Sequence, residues 1–105
     1  MGEMLKKYVV YIKEYSNNKM AVGVTSNMRQ EITRYENLNN GRNGNLSTKI
    51  VYYEIKIGIR SAYAREKELK SLKRAELISL VKSANPEMLD LNNIWKEDEA
   101  ERQKI

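Results

Sequence analysis

The chain has 105 residues, 31% of them charged and 41% apolar, with 19 Lys and Arg against 14 Asp and Glu. This is one domain's worth of sequence, and no apolar run approaches the roughly 18 to 20 residues of a membrane span. Without Cys or His there are no disulfides, zinc clusters, thiolate nucleophiles or imidazole bases, which leaves Tyr, Asp, Glu, Lys, Arg, Ser and Thr, with a hard divalent cation as the natural helper.

The segment from Met1 to Lys7 lacks the apolar core of a secretion signal, so a cytoplasmic location without membrane attachment is expected. Tyr8 to Ile12 is a continuous run of β-branched and aromatic residues and reads as a buried strand. Ser16 to Lys19 supplies turn residues, and Met20 to Val24 reads as the returning strand of a hairpin. Asn27, with Gln30 three residues on, forms a capping-box pattern, and Met28, Ile32 and Tyr35 mark one face of the helix that follows. Asn37 to Asn45 holds five Asn and two Gly and reads as a loop.

Ile50 to Ile57 alternates and reads as a third strand, ended by Gly58. Ser61 is placed to cap a second helix with Ala62, Glu66 and Leu69 on one stripe. A third helix is expected to bury Ala75, Leu77, Ile78, Leu80 and Val81 and to stop between Ser83 and Pro86. Met88 to Trp95 carries further apolar residues able to fold back on the body. Residues 1–95 therefore read as one α+β domain, a three-stranded antiparallel sheet with flanking helices in the order β-β-α-β-α-α, followed by a charged tail over 96–105.

Tyr8 to Ile12, Gly23 and Thr25, the stretch Tyr52-Tyr53-Glu54, and Arg65-Glu66-Lys67-Glu68-Leu69-Lys70 preceded by Ala62 together resemble the GIY-YIG nuclease superfamily. Ala84-Asn85-Pro86 extends the likeness to its small, single-domain, excision-repair-endonuclease-like subgroup, over roughly residues 8 to 95. The resemblance implies metal-assisted phosphodiester hydrolysis. It puts the first-strand Tyr at Tyr11, the motif glycine at Gly23, and the carboxylate that holds Mg²⁺ or Mn²⁺ at Glu66. Tyr35 falls at a position taken in the family by His or Tyr.

Two family positions are lost. The second Tyr is replaced by Ala21, whose methyl group cannot share a proton, and the Arg of the first helix by Glu31. A carboxylate in place of a guanidinium repels developing phosphate charge, a reversal worth a few kcal/mol at about 5 Å and an effective dielectric near 20. Arg34, one turn on, can pair with Glu31, while Arg42 and Lys49 are candidate substitute cations. Glu31 and Glu66 together would make a two-carboxylate metal cage.

Net charge is +5, and hydroxyls of Tyr8, Tyr11, Tyr35, Tyr52 or Tyr53 would give a groove polar donors and stacking rings. The expected function is a catalytically impaired domain that binds a phosphodiester ligand, nucleic acid or small nucleotide, and sequesters it without efficient cleavage. Tyr8, Gly23, Arg34, Tyr35, Arg42 and Lys49 are its candidate contacts, with Tyr11 and Glu66 at the retained catalytic positions. The alternatives are an active metal-dependent endonuclease with a rearranged site and a protein-interaction or assembly subunit, which would include a homo-oligomer.

Overall fold

The computed structural model describes residues 6–39 and 48–92. Strand β1 (Lys7–Tyr15) is followed by β2 (Met20–Thr25), α1 (Met28–Asn39), β3 (Thr48–Ile57), α2 (Ile59–Lys70) and α3 (Arg74–Ala84). The three strands form one antiparallel sheet in the order β2-β1-β3. The α+β arrangement and element order expected from the sequence are those observed.

The continuous apolar run explains why β1 is central. Val9, Val10, Tyr11 and Ile12 are all buried, which requires cover on both faces of the sheet and a strand on either side. Odd-numbered β1 residues supply one core, where Val9 and Tyr11 meet Met28, Ile32 and Tyr35 of α1 and Ile50 of β3. Even-numbered residues supply the other, where Val10 and Ile12 meet Val51, Ala62 and Leu69 of α2, and Leu77 and Val81 of α3. Helix α1 thus covers one face, and α2 with α3 covers the opposite face.

A bulge lies between the pairs Ile12↔Tyr52 and Lys13↔Ile50 and leaves Val51 as the extra residue of β3. Val51 and Tyr52 therefore both join the α2–α3 core, while Ile50 returns to the α1 side. The hairpin turn closes through Tyr15 N–H to Lys19 O (2.8 Å), with Asn18 at φ 71°, a conformation Asn tolerates better than most side chains. Asn27 Oδ1 accepts the Gln30 N–H (3.1 Å), as the capping pattern predicts. Asn85 ends α3 and donates through Nδ2 to Val51 O and Leu89 O, turning the chain back so that Leu91 N–H reaches Ile50 O.

Three local expectations are corrected. Helix α1 runs on through Asn39, because its buried stripe outweighs the low helix propensity of Asn37 and Asn39. Helix α2 starts at Ile59 after Gly58 (φ 89°), two residues before Ser61, with no side-chain cap. Ala75 is exposed, since it lies about 200° around the helix from Leu77, and Leu77 and Val81 carry the contact. Arg42 and the tail over 96–105 lie outside the described residues.

Ile32 is fully buried and joins α1 to the sheet. We expect Ile32→Ala to lower the unfolding free energy by about 2 to 5 kcal/mol in urea denaturation, and Ala75→Ser to change it by less than about 0.5 kcal/mol.

Candidate functional site

The register of β1 and β2 pairs Tyr11 with Gly23 and Lys13 with Ala21. The absence of a side chain at Gly23 is used directly, since a Cβ there would stand 2.7 Å from both Cζ and Oη of Tyr11. The ring therefore lies across the glycine and carries its hydroxyl to α1, where Glu31 and Tyr35, four residues apart, share one helical face. Tyr11 Oη is 3.0 Å from Tyr35 Oη and 3.5 Å from Glu31 Oε1. Lys13, two residues along β1 and so on the same face as Tyr11, donates from Nζ to Tyr35 Oη at 3.3 Å.

These groups form a continuous chain of hydrogen bonds. The Lys13 ammonium donates to Tyr35, the Tyr35 and Tyr11 hydroxyls share a bond in which either can donate, and the Tyr11 hydroxyl reaches the Glu31 carboxylate. Arg34 Nη2 pairs with Glu31 Oε1 from the solvent side, as the spacing of the two residues predicts. The Lys13 ammonium also lies 4.9 Å from the Tyr35 ring centre and 5.5 Å from that of Tyr15. No ion pair among the described residues gives Lys13 a carboxylate partner.

Burial raises the Tyr11 pKa well above the ordinary phenol value, and the hydrogen bond with Tyr35 and the charge of Glu31 push it the same way. Burial works against the charge on Lys13, but its bonds to Tyr35 and Tyr15 outweigh that and raise its pKa, so it is an ammonium at neutral pH. Tyr11 is therefore a neutral phenol between the Glu31 carboxylate and the Tyr35 hydroxyl. It is poorly suited to take a proton as a general base.

Of the residues singled out in the sequence, Tyr11, Gly23, Glu31, Arg34 and Tyr35 come together here, with Ala21 beside Lys13. Tyr8 does not, because it stands three positions before Tyr11, an odd step that puts it on the other face of the strand. It packs with the α2–α3 core, with Lys6 Nζ 5.9 Å from its ring centre. Lys49 pairs with Glu14 (3.5 Å) and donates to Met88 O (2.8 Å). Glu66 is carried by α2, on the face opposite Tyr11, and pairs with Lys70 at 3.0 Å. Mg²⁺ is commonly held by one or two carboxylates with water completing its shell. Among the described residues no group of three or more acidic side chains lies together, and the Glu66 carboxylate is engaged by Lys70. The cage of Glu31 with Glu66 is excluded by the sheet between their helices.

Lys13 is the residue that sequence reasoning missed. A second polar cluster lies on the α2 side, where Arg65 holds both oxygens of Glu54 (2.9 and 3.0 Å) and Tyr52 donates to Glu54 at 2.6 Å. Burial opposes ionisation of Glu54, but Arg65 and Tyr52 prevail and hold its pKa below the usual carboxylate value. With every member bonded, this cluster fastens α2 to β3.

No protein-family model, curated protein or solved structure matches the chain. Among the described residues no helix is long and apolar enough to cross a membrane.

Tyr11 is shifted upward, and burial, followed by its bond to Glu54, pushes Tyr52 up to about 12. Unfolded tyrosine titrates near pH 10, so above that pH the unfolded chain sheds phenol protons that the folded chain keeps. Stability contributed by these phenols is complete below about pH 10 and declines as the pH rises towards the folded values. Chemical denaturation between pH 9 and pH 12 should show this decline, and Tyr11→Phe or Tyr52→Phe should make it shallower.

Proposed function

We propose that the domain binds a phosphodiester-containing ligand through the Lys13–Tyr35–Tyr11 cluster and does not cleave it efficiently. The observation that carries this reading is the Lys13 ammonium, held by phenols and without a carboxylate partner among the described residues. Glu31 is balanced by Arg34, so Lys13 leaves the cluster with one uncompensated positive charge. That matches the single negative charge of a phosphodiester. The small Ala21 side chain opposite Lys13 leaves the ammonium approachable. Inefficient cleavage is supported by the neutral Tyr11 phenol, by the carboxylate at Glu31, and by the separation of Glu66 from this face. The GIY-YIG resemblance is consistent with a scaffold suited to phosphodiesters, here with a degenerate catalytic set.

Binding of short single-stranded oligonucleotides should weaken as salt rises, and Lys13→Gln should reduce affinity severalfold and lower the salt slope by about 1. Incubation with DNA or RNA and Mg²⁺ or Mn²⁺ should give no sustained turnover. Robust cleavage abolished by Glu66→Ala would overturn the reading.

An assembly subunit is the second reading, and β2 favours it. Its six residues form an outer strand with no charge and no proline, whereas the other outer strand, β3, carries Lys49, Glu54, Lys56 and a bulge. Sedimentation over a range of protein concentrations should report a monomer if ligand binding is the role, and a concentration-dependent dimer if assembly is.

A further inference from the structure

Beside Lys13, at the end of the sheet nearest the hairpin turn, lies a pocket of about 330 Å³ lined by Tyr15, Ser16, Asn18, Thr48 and Asp90, with the Glu14–Lys49 pair at its wall. Its volume is at the lower end of those that hold small organic ligands. The pocket and the anion seat share Tyr15. Tyr15 lines the pocket, and its ring centre stands 5.5 Å from the Lys13 ammonium. A phosphate on Lys13 therefore lies about one ring's width from an aromatic surface set in a polar recess.

The charges orient an occupant. Lys49 is already engaged by Glu14 and by Met88 O, so the pocket offers no unpaired cation among the described residues, and Asp90 adds a negative charge. A phosphate is repelled from the pocket and drawn to Lys13. A neutral ring bearing hydrogen-bond donors and acceptors is accepted by the hydroxyl, amide and carboxylate groups of Ser16, Asn18 and Asp90. One molecule carrying both features is a nucleotide.

We propose that this pocket is a nucleoside subsite, in which a base stacks on Tyr15 while the adjoining phosphodiester rests on Lys13. The proposal builds on the phosphodiester reading above and adds the recognition of a base to it. It gives the ligand a single-stranded or free-nucleotide form, because a base paired inside a duplex cannot enter a recess of this kind.

The test uses the dinucleoside monophosphate UpU and, as a phosphodiester without a base, dimethyl phosphate, each titrated into the full chain and followed by NMR. In the native protein the Tyr15 ring resonances should shift on adding UpU and stay in place on adding dimethyl phosphate. Tyr15→Ala should weaken UpU binding about five- to a hundredfold and dimethyl phosphate binding far less, and Tyr15→Phe, which keeps the ring beside Lys13, should keep most of the UpU affinity. Lys13→Gln should weaken both. If Lys13→Gln weakens UpU binding while Tyr15→Ala does not and the Tyr15 resonances stay fixed, the subsite is overturned and the phosphodiester reading stands. If neither compound binds at millimolar concentration, both are overturned.

Discussion

The side chain missing at Gly23 governs the geometry of the α1 face. A Cβ there would overlap the Tyr11 ring, which crosses the neighbouring strand to bring its hydroxyl to α1. That placement ties a strand phenol to a helix phenol and, through it, to the ammonium of Lys13 and the carboxylate of Glu31. The bonds sit above a core of Val9, Met28, Ile32 and Ile50, where burial strengthens each electrostatic contact and keeps Tyr11 neutral. Sheet register, helix position and the proton state of the central phenol are thereby linked.

The two faces of the sheet divide the work. On the α2 side the polar cluster around Glu54 closes on itself, each charge meeting an opposite charge or a donor. On the α1 side the polar chain has charge left over at the β1 end, next to a small residue and an open recess. A closed cluster holds elements together. A cluster with charge to spare has something to offer a partner, and this difference is why the α1 side is the binding face in the reading advanced above.

Much of this was legible in the sequence, and the rest failed for identifiable reasons. The unbroken apolar run of Tyr8 to Ile12 marked a strand covered on both sides, and Met28, Ile32 and Tyr35 marked the inner face of α1. The spacing of Glu31 and Arg34 foretold their pairing. The shared hydroxyl groups Tyr8 with Tyr11, but strand alternation sends the two to opposite faces, a separation that period-two counting exposes. The stripe shared by Glu66, Ala62 and Leu69 told that the carboxylate leans inward, but no one-dimensional pattern says which face of a sheet a helix covers. Lys13 was inconspicuous as one of 19 basic residues. Its one signal was a position two residues beyond Tyr11, with Ala21 across the hairpin.

The extra residue in β3 has a consequence of its own. Counted from Ile57, the strand keeps one alternation as far as Tyr52, and Val51 resets it for Ile50, Lys49 and Thr48. The sheet thus behaves as two short segments joined by a phase slip. Changes of length in the half near Gly58 need not alter which residues reach the recess beside Tyr15. A lineage carrying this slip has room to vary one end of its sheet while the other end stays as it is.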